Sequence, residues 1–236
     1  MSGLLLKLIA LLTMTIDHTG AMLMAQGYNV MWMRVVGRVA FPIYAFLIAE
    51  GVSKTRNAPR YVLRLLLFAL LSELPFNLFA AYQAGLGARL WYPEAQNVFC
   101  TLALGAVACR LFESVKAKGG LARLGGAVAG VIIAFAAEYL HTDYGFYGVL
   151  VIFLAYAIGG GKRRVAGIVL PLVYMYLTMY WDWNAGLAVQ MAGMMLVSGA
   201  AMLLYNGRRG GGARWMKWLF YAYYPLHLLA LVGLFV

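Results

Sequence analysis

The chain has 236 residues, 64% of them hydrophobic and 11% charged, with a formal net charge of +11. Soluble domains are about half apolar and a quarter charged, so this composition excludes an ordinary water-soluble core and places the chain in a bilayer. The basic residues fall in short clusters between apolar runs, and no nucleic-acid-binding motif accompanies them, which argues against nucleic acid as the partner.

A helix needs about 20 apolar residues to cross the hydrocarbon. In chain order the apolar runs predict crossings at 4–24, 31–51, 61–81, 96–112, 121–140, 144–158, 165–180, 185–205 and 215–235. The first run lacks a small-residue cleavage site and holds Asp17 and His18, so it reads as the first helix of the mature protein and not as a leader. The sixth and seventh runs are short. The expected fold is therefore all-α: one polytopic transmembrane domain over 1–236, a bundle of about nine helices (eight to ten). The two cysteines, Cys100 and Cys109, share one apolar run and point in different directions on a helix, as small buried hydrophobes do.

Charge gives the orientation. Sixteen of the nineteen Lys and Arg residues lie at the amino end or in the even-numbered connections, including Arg56, Arg60, Arg64 and Arg214, whereas the odd connections hold Arg89 alone. Cytoplasmic loops collect Lys and Arg, so the amino terminus is expected in the cytoplasm and the carboxyl terminus outside. The compartment this implies is the cytoplasmic (inner) membrane of a bacterium.

Ionisable groups inside a bilayer need a partner or a cavity. The predicted spans contain Asp17 and His18, Arg34 and Arg38, Glu73, and His227. Counted along each helix, His18, Arg38, Glu73 and His227 all fall about 9–12 Å from the outer end, which suggests one polar chamber in the outer half of the membrane. Arg34 and Arg38 are four residues apart and share a helix face. Such a pair can bind a carboxylate or phosphate, stabilise an oxyanion, or simply neutralise Asp17 and Glu73. His18 beside a carboxylate suits a general base, although Asp17 and His18 stand about 100° apart and cannot face each other as a dyad. Asn77, Asn97, Asp143 and Tyr144 frame the outer mouth as candidate substrate contacts. No His-x-x-x-His or His-Glu-x-x-His spacing points to a metal.

These residues lie in strings that resemble the TraX family. Met14-Thr15-Ile16-Asp17-His18-Thr19-Gly20 is similar to its opening helix, and Arg34-Val35-Val36-Gly37-Arg38-Val39-Ala40-Phe41-Pro42 through Glu50-Gly51 to its second. The likeness continues in Thr55-Arg56-Asn57, Leu71-Ser72-Glu73-Leu74-Pro75-Phe76-Asn77, Asn97-Val98-Phe99, Asp143-Tyr144-Gly145-Phe146-Tyr147-Gly148 and Tyr223-Tyr224-Pro225-Leu226-His227. What the resemblance implies is N-acetylation, since the best-known members are linked to acetylating the amino terminus of conjugative pilin. It also implies the layout of transmembrane acyltransferases, which carry an acyl group from cytoplasmic acyl-CoA to an acceptor on the other side.

On that reading the co-substrate is acetyl-CoA or another acyl-CoA, its phosphates held by Arg56, Arg60 and Arg64. The acceptor is an amine or hydroxyl of a pilin-like amino terminus, a peptide, a glycan or a lipid-linked substrate. His18 deprotonates it, Asp17 or Glu73 tunes His18, and Arg38 stabilises the oxyanion, while Arg34, Asn77, Asn97, Asp143, Tyr144 and His227 contact the substrate. The competing reading is a proton-coupled transporter using the same Asp/His/Arg/Glu cluster, which predicts an inverted repeat that the sequence does not display. A non-catalytic membrane scaffold would scatter its polar residues in depth.

Overall fold

The computed structural model describes residues 1–211 and 215–236; Arg214, one of the basic residues of the last connection, lies outside them. The described residues form nine helices: α1 (Gly3–Ala25), α2 (Met31–Gly37), α3 (Ala40–Lys54), α4 (Ala58–Gln83), α5 (Val98–Val115), α6 (Gly120–Tyr139), α7 (Gly145–Ala157), α8 (Lys162–Leu203) and α9 (Met216–Phe235). Among these residues the only β pairing is an isolated bridge between Gln96 and Thr142. Seven segments are long and apolar enough to cross a membrane, with α2 and α3 counted together as Met31–Lys54, and α7 is a shorter apolar helix. The chain is an all-helical, multi-pass membrane protein.

Two boundaries differ from the hydropathy pattern. The second run, expected as one helix over 31–51, breaks at Arg38 and Val39. Pro42 accounts for the break: it has no N–H to give to the Arg38 carbonyl, and its ring crowds that oxygen. The runs expected at 165–180 and 185–205 instead join as α8, whose 42 residues contain one extended residue, Asn184 (φ −159°, ψ 94°). A straight helix of that length would measure about 63 Å, twice the hydrocarbon thickness. The Asn184 side-chain oxygen accepts the Leu187 N–H at 2.9 Å, as the cap of a new helix does. Exposed Trp181 and Trp183 flank the break, where interfacial aromatics belong.

The chain divides into two compact units, residues 1–44, 71–93 and 172–236 in one and 45–70 and 94–171 in the other. In the first unit, α1 and α2 pack antiparallel and very close. A Cβ at Gly37 would lie 2.2 Å from Asp17 Cβ, and one at Gly20 would lie 2.6 Å from Met33 Cβ. Small residues at such positions let membrane helices touch backbone to side chain. By contrast, α1 and α9 run parallel. Lys7 meets Phe220, Thr15 meets Tyr223, His18 meets His227 and Gln26 meets the Phe235 carbonyl, so both chains climb together. The upper end of α4 joins the same seam, where the Tyr82 hydroxyl donates to the Phe235 carbonyl at 3.0 Å.

The second unit is built around α5, α6 and α7. Gly126, Gly130 and Ala134 line one buried face of α6 at four-residue intervals, and Phe153 of α7 packs on Gly130. The opposite face, with Leu124, Val128, Ile132 and Phe135, is exposed and apolar, the expected surface toward lipid.

Candidate active site

The first unit concentrates the buried ionisable groups. Asp17 is 7% exposed and accepts two arginines. Arg34 Nη1 lies 2.8 Å from one carboxylate oxygen and Arg38 Nη2 lies 2.5 Å from the other. Arg34 Nη1 also reaches the Asp17 carbonyl at 3.1 Å, and Arg38 Nε donates to the Arg34 carbonyl at 3.0 Å. Arg38 Nη1 extends to the Tyr176 hydroxyl of α8 at 3.5 Å. The local sequence explains this geometry. The four-residue spacing stacks both guanidinium groups over one carboxylate, Gly37 between them clears the space, and the Pro42 break turns Arg38 out of the helix ladder. The Asp17 carboxylate thus gives one oxygen to each of the two guanidinium groups.

One residue further along α1, the geometry changes from ion pairs to a relay. His18 Nδ1 is 2.6 Å from His227 Nε2, and His227 Nδ1 is 3.0 Å from the Tyr223 carbonyl. A carbonyl only accepts, so His227 Nδ1 carries the proton and, in the neutral ring, its Nε2 must accept. His18 Nδ1 therefore donates, and His18 Nε2 is left with a lone pair. That nitrogen makes no hydrogen bond among the described residues, and His18 is half-buried. The two imidazoles stack at 4.9 Å, Phe79 of α4 tilts against His18 at 5.1 Å, and the Tyr223 ring stacks on His227 at 5.1 Å. Tyr223 is itself fixed: its hydroxyl lies 2.6 Å from Thr15 Oγ1, which donates to the Leu11 carbonyl.

The structure thus gathers Asp17, Arg34, Arg38, His18 and His227 onto the α1–α2 and α1–α9 contacts. The partner of His18 is His227; Asp17 is held by the arginines. Glu73 and Asn77 lie one turn apart on α4, Glu73 half-buried and Asn77 3% exposed. The Asn77 amide donates to the Leu90 carbonyl at 3.1 Å while its oxygen, buried, meets no donor among the described residues.

The remaining candidates belong to the second unit, where the backbone uses several of them. Asn97 is fully buried, caps α5 by accepting the Phe99 N–H at 3.0 Å, and donates to the Ala69 carbonyl at 2.8 Å. The Asp143 N–H donates to the Gln96 carbonyl at 2.9 Å, and the Asp143 carbonyl accepts a short bond from Thr101. Tyr144 stands in left-handed backbone (φ 63°) before Gly145 (φ 42°), where a Cβ would strike the Glu138 carboxylate. That carboxylate accepts the Phe146 N–H at 2.8 Å and so caps α7. At the start of α4, Arg56 and Arg60 are exposed and Arg64 lies over the Tyr61 ring at 5.6 Å. Asn57 between them caps the helix through the Arg60 N–H at 3.0 Å.

Hydropathy does not single out Thr15, Tyr223 or Glu50. Glu50 is 8% exposed inside a span and pairs with Lys54 at 2.7 Å; its signal in the sequence is the lone acid that directly follows Phe46-Leu47-Ile48-Ala49.

The helices and the buried His, Asp and Arg groups define a class: a multi-pass membrane protein with a polar centre held between its first, second and last helices. The family model described as TraX protein matches residues 2–235, and the chain belongs to the TraX family. A relative in Dichelobacter nodosus, the probable fimbrial assembly protein FimC of serogroup H1, is 28% identical over 245 residues, covering 98% of this chain and 94% of the relative. No solved structure matches.

Proposed function

We propose that the chain is a bacterial inner-membrane acyltransferase that moves an acetyl group from acyl-CoA in the cytoplasm to an amine or hydroxyl on the outer side. The observation that carries this reading is the bare Nε2 of His18, left by the chain from the Tyr223 carbonyl through His227. A nitrogen with a lone pair, held in one tautomer and one orientation, is what a general base requires.

The reaction balances without a cofactor or a metal. His18 Nε2 takes the proton of the acceptor N–H or O–H as that atom attacks the thioester carbonyl. The tetrahedral oxyanion collapses, the C–S bond breaks, and the imidazolium returns the proton to the departing thiolate. The oxyanion falls to the guanidinium pair, Arg34 foremost, because its hydrogen bonds to Asp17 use Nη1 alone. Asp17 keeps both guanidinium groups in place without competing for His18. Asn77 offers its buried oxygen to an acceptor N–H. The relative's name speaks of fimbrial assembly, and the resemblance to pilin acetylases points the same way, so the acceptor class favoured is the amino terminus of a fimbrial subunit.

The test is transfer of labelled acetyl from acetyl-CoA to a peptide amine by the purified chain in lipid nanodiscs. The reading expects His18→Ala to lose about 10²–10⁴ of the rate, the usual worth of a general base. Equal turnover by the wild type and His18→Ala would overturn it.

A further inference from the structure

Two hydroxyls, one turn before the histidine pair, belong to the same seam of α1 and α9. Thr15 stands three residues before His18 on α1, and Tyr223 stands four before His227 on α9, so each shares a helix face with its histidine. Thr15 Oγ1 lies 2.6 Å from the Tyr223 hydroxyl, the same length as the His18–His227 bond. Counting protons fixes its direction. A threonine hydroxyl carries one, and Thr15 gives it to the Leu11 carbonyl at 2.8 Å. Toward Tyr223 the Thr15 oxygen can then only accept, and the Tyr223 hydroxyl donates.

Tyr223 meets the seam in three ways. Its hydroxyl is bound to α1, its carbonyl accepts from His227 Nδ1 at 3.0 Å, and its ring lies 5.1 Å from the His227 ring with 12° between the planes. The His227 and His18 planes differ by 10° at 4.9 Å, so three rings from two helices stand nearly parallel. A single bond between two helices is a pivot. Two of them, one turn apart, resist rotation and tilt of α9 on α1, because such a motion must stretch or bend one bond or the other.

We propose that Tyr223, fastened to Thr15, is a positioning residue that holds His227 Nε2 on His18 Nδ1 and thereby keeps His18 Nε2 bare and aimed. Neither Thr15 nor Tyr223 has to touch the reacting groups. The consequence for rate rests on the acyl-transfer reading; the consequence for the His18 tautomer does not.

The experiment uses the full chain in lipid nanodiscs. It reads the kinetics of transfer from acetyl-CoA to a peptide amine, and the tautomer of His18 by nitrogen NMR of histidine-labelled protein. The chain has three histidines, and His18→Ala and His141→Ala assign their signals. The wild type should show His18 protonated at Nδ1. Thr15→Val and Tyr223→Phe each delete one hydroxyl at nearly constant shape. Each is expected to cut kcat about tenfold or more, the scale of a misplaced catalytic group, with the KM for acetyl-CoA unchanged, and to give His18 a mixture of tautomers. Thr15→Ser keeps the hydroxyl and should restore both. The double variant should be no slower than the slower single, because all three lack the same bond. Thr13→Val is the control: Thr13 donates to the Ile9 and Ala10 carbonyls of its own helix, and its loss should move neither readout.

Wild-type kcat and a wild-type tautomer in both hydroxyl variants overturn the proposal. So does an equal loss in Thr13→Val, or a slower variant whose His18 keeps its proton on Nδ1, since either would report general packing and not aim. A wild-type His18 protonated at Nε2 overturns it as well. If the wild type transfers no acetyl, the acyl-transfer reading falls and the tautomer alone decides. A mixture in Thr15→Val and Tyr223→Phe then upholds the positioning role, and an unchanged signal overturns it.

Discussion

At the scale of single residues, the two halves of the centre respond differently to substitution. His227 acts on His18 through one hydrogen bond, so removing it frees the His18 ring to rotate and to adopt the other tautomer. His227→Ala is expected to cut kcat by about 10²-fold or more, within the range for mispositioned acid–base groups, with little change in the KM for acyl-CoA. His227→Gln supplies an amide oxygen that can accept from His18 Nδ1, and should recover part of that loss. A purely structural role for His227 would instead lower stability in both variants and distinguish neither by rate. Asp17 is different in kind. Replacing it with Asn leaves two guanidinium groups without their anion in a site of low polarity, which costs about 3–5 kcal/mol; a denaturation series in detergent reads that loss directly. Gly37→Ala acts on the same cluster through space alone, because the added carbon meets Asp17 at 2.2 Å. It should displace the carboxylate and lower transfer even where the fold survives.

At the scale of elements, proline is a positioning device. Pro42→Ala restores an N–H that can reach the Arg38 carbonyl and lifts the bar that a proline in the first turn of α3 sets against a helix running on from α2. The expected result is a helix continuous through Arg38, a raised melting temperature and reduced acetyl transfer, because the guanidinium leaves Asp17. A variant that gains stability and keeps its rate would show that the break has no part in the chemistry. In the second unit, Asn97→Ala removes the α5 cap and the side-chain hydrogen bond to the Ala69 carbonyl, about 1–3 kcal/mol together, measurable as a lower unfolding midpoint. The crossings themselves were legible from the sequence because each needs about 20 apolar residues, a local property. The break at Arg38 was less so, since a proline near the start of a helix is tolerated and only its fit against α1 shows why it is there. The pairing of His18 with His227 joins residues 209 positions apart, and no local rule reports a contact of that range. Matching depths along separate helices brought both histidines to one layer, but depth alone does not say which faces meet. Asp17 illustrates this: adjacent to His18 in sequence, it turns to the arginines, because a helix sends neighbours about 100° apart.

At the scale of the whole molecule, the parallel course of α1 and α9 constrains the number of crossings. If each apolar segment crossed once and α8 counted as a single pass, eight crossings would bring α9 back antiparallel to α1. The seam contacts run parallel, as an odd number of passes requires, and the expectation is that the capped break at Asn184 divides α8 into two of them. Combined with basic loops expected in the cytoplasm, an odd count predicts Asn206 on the cytoplasmic side with the amino terminus, and Trp183 and the carboxyl terminus outside. Single cysteines introduced on a background of Cys100→Ser and Cys109→Ser test the arrangement in intact cells. A membrane-impermeant maleimide should label Trp183→Cys from outside and label Asn206→Cys only once the membrane is opened. If α8 instead ran straight through, Trp183→Cys would sit midway along a single 42-residue helix, within the hydrocarbon, and would resist the reagent from both sides. That outcome would remove the two-sided geometry on which the proposed transfer depends.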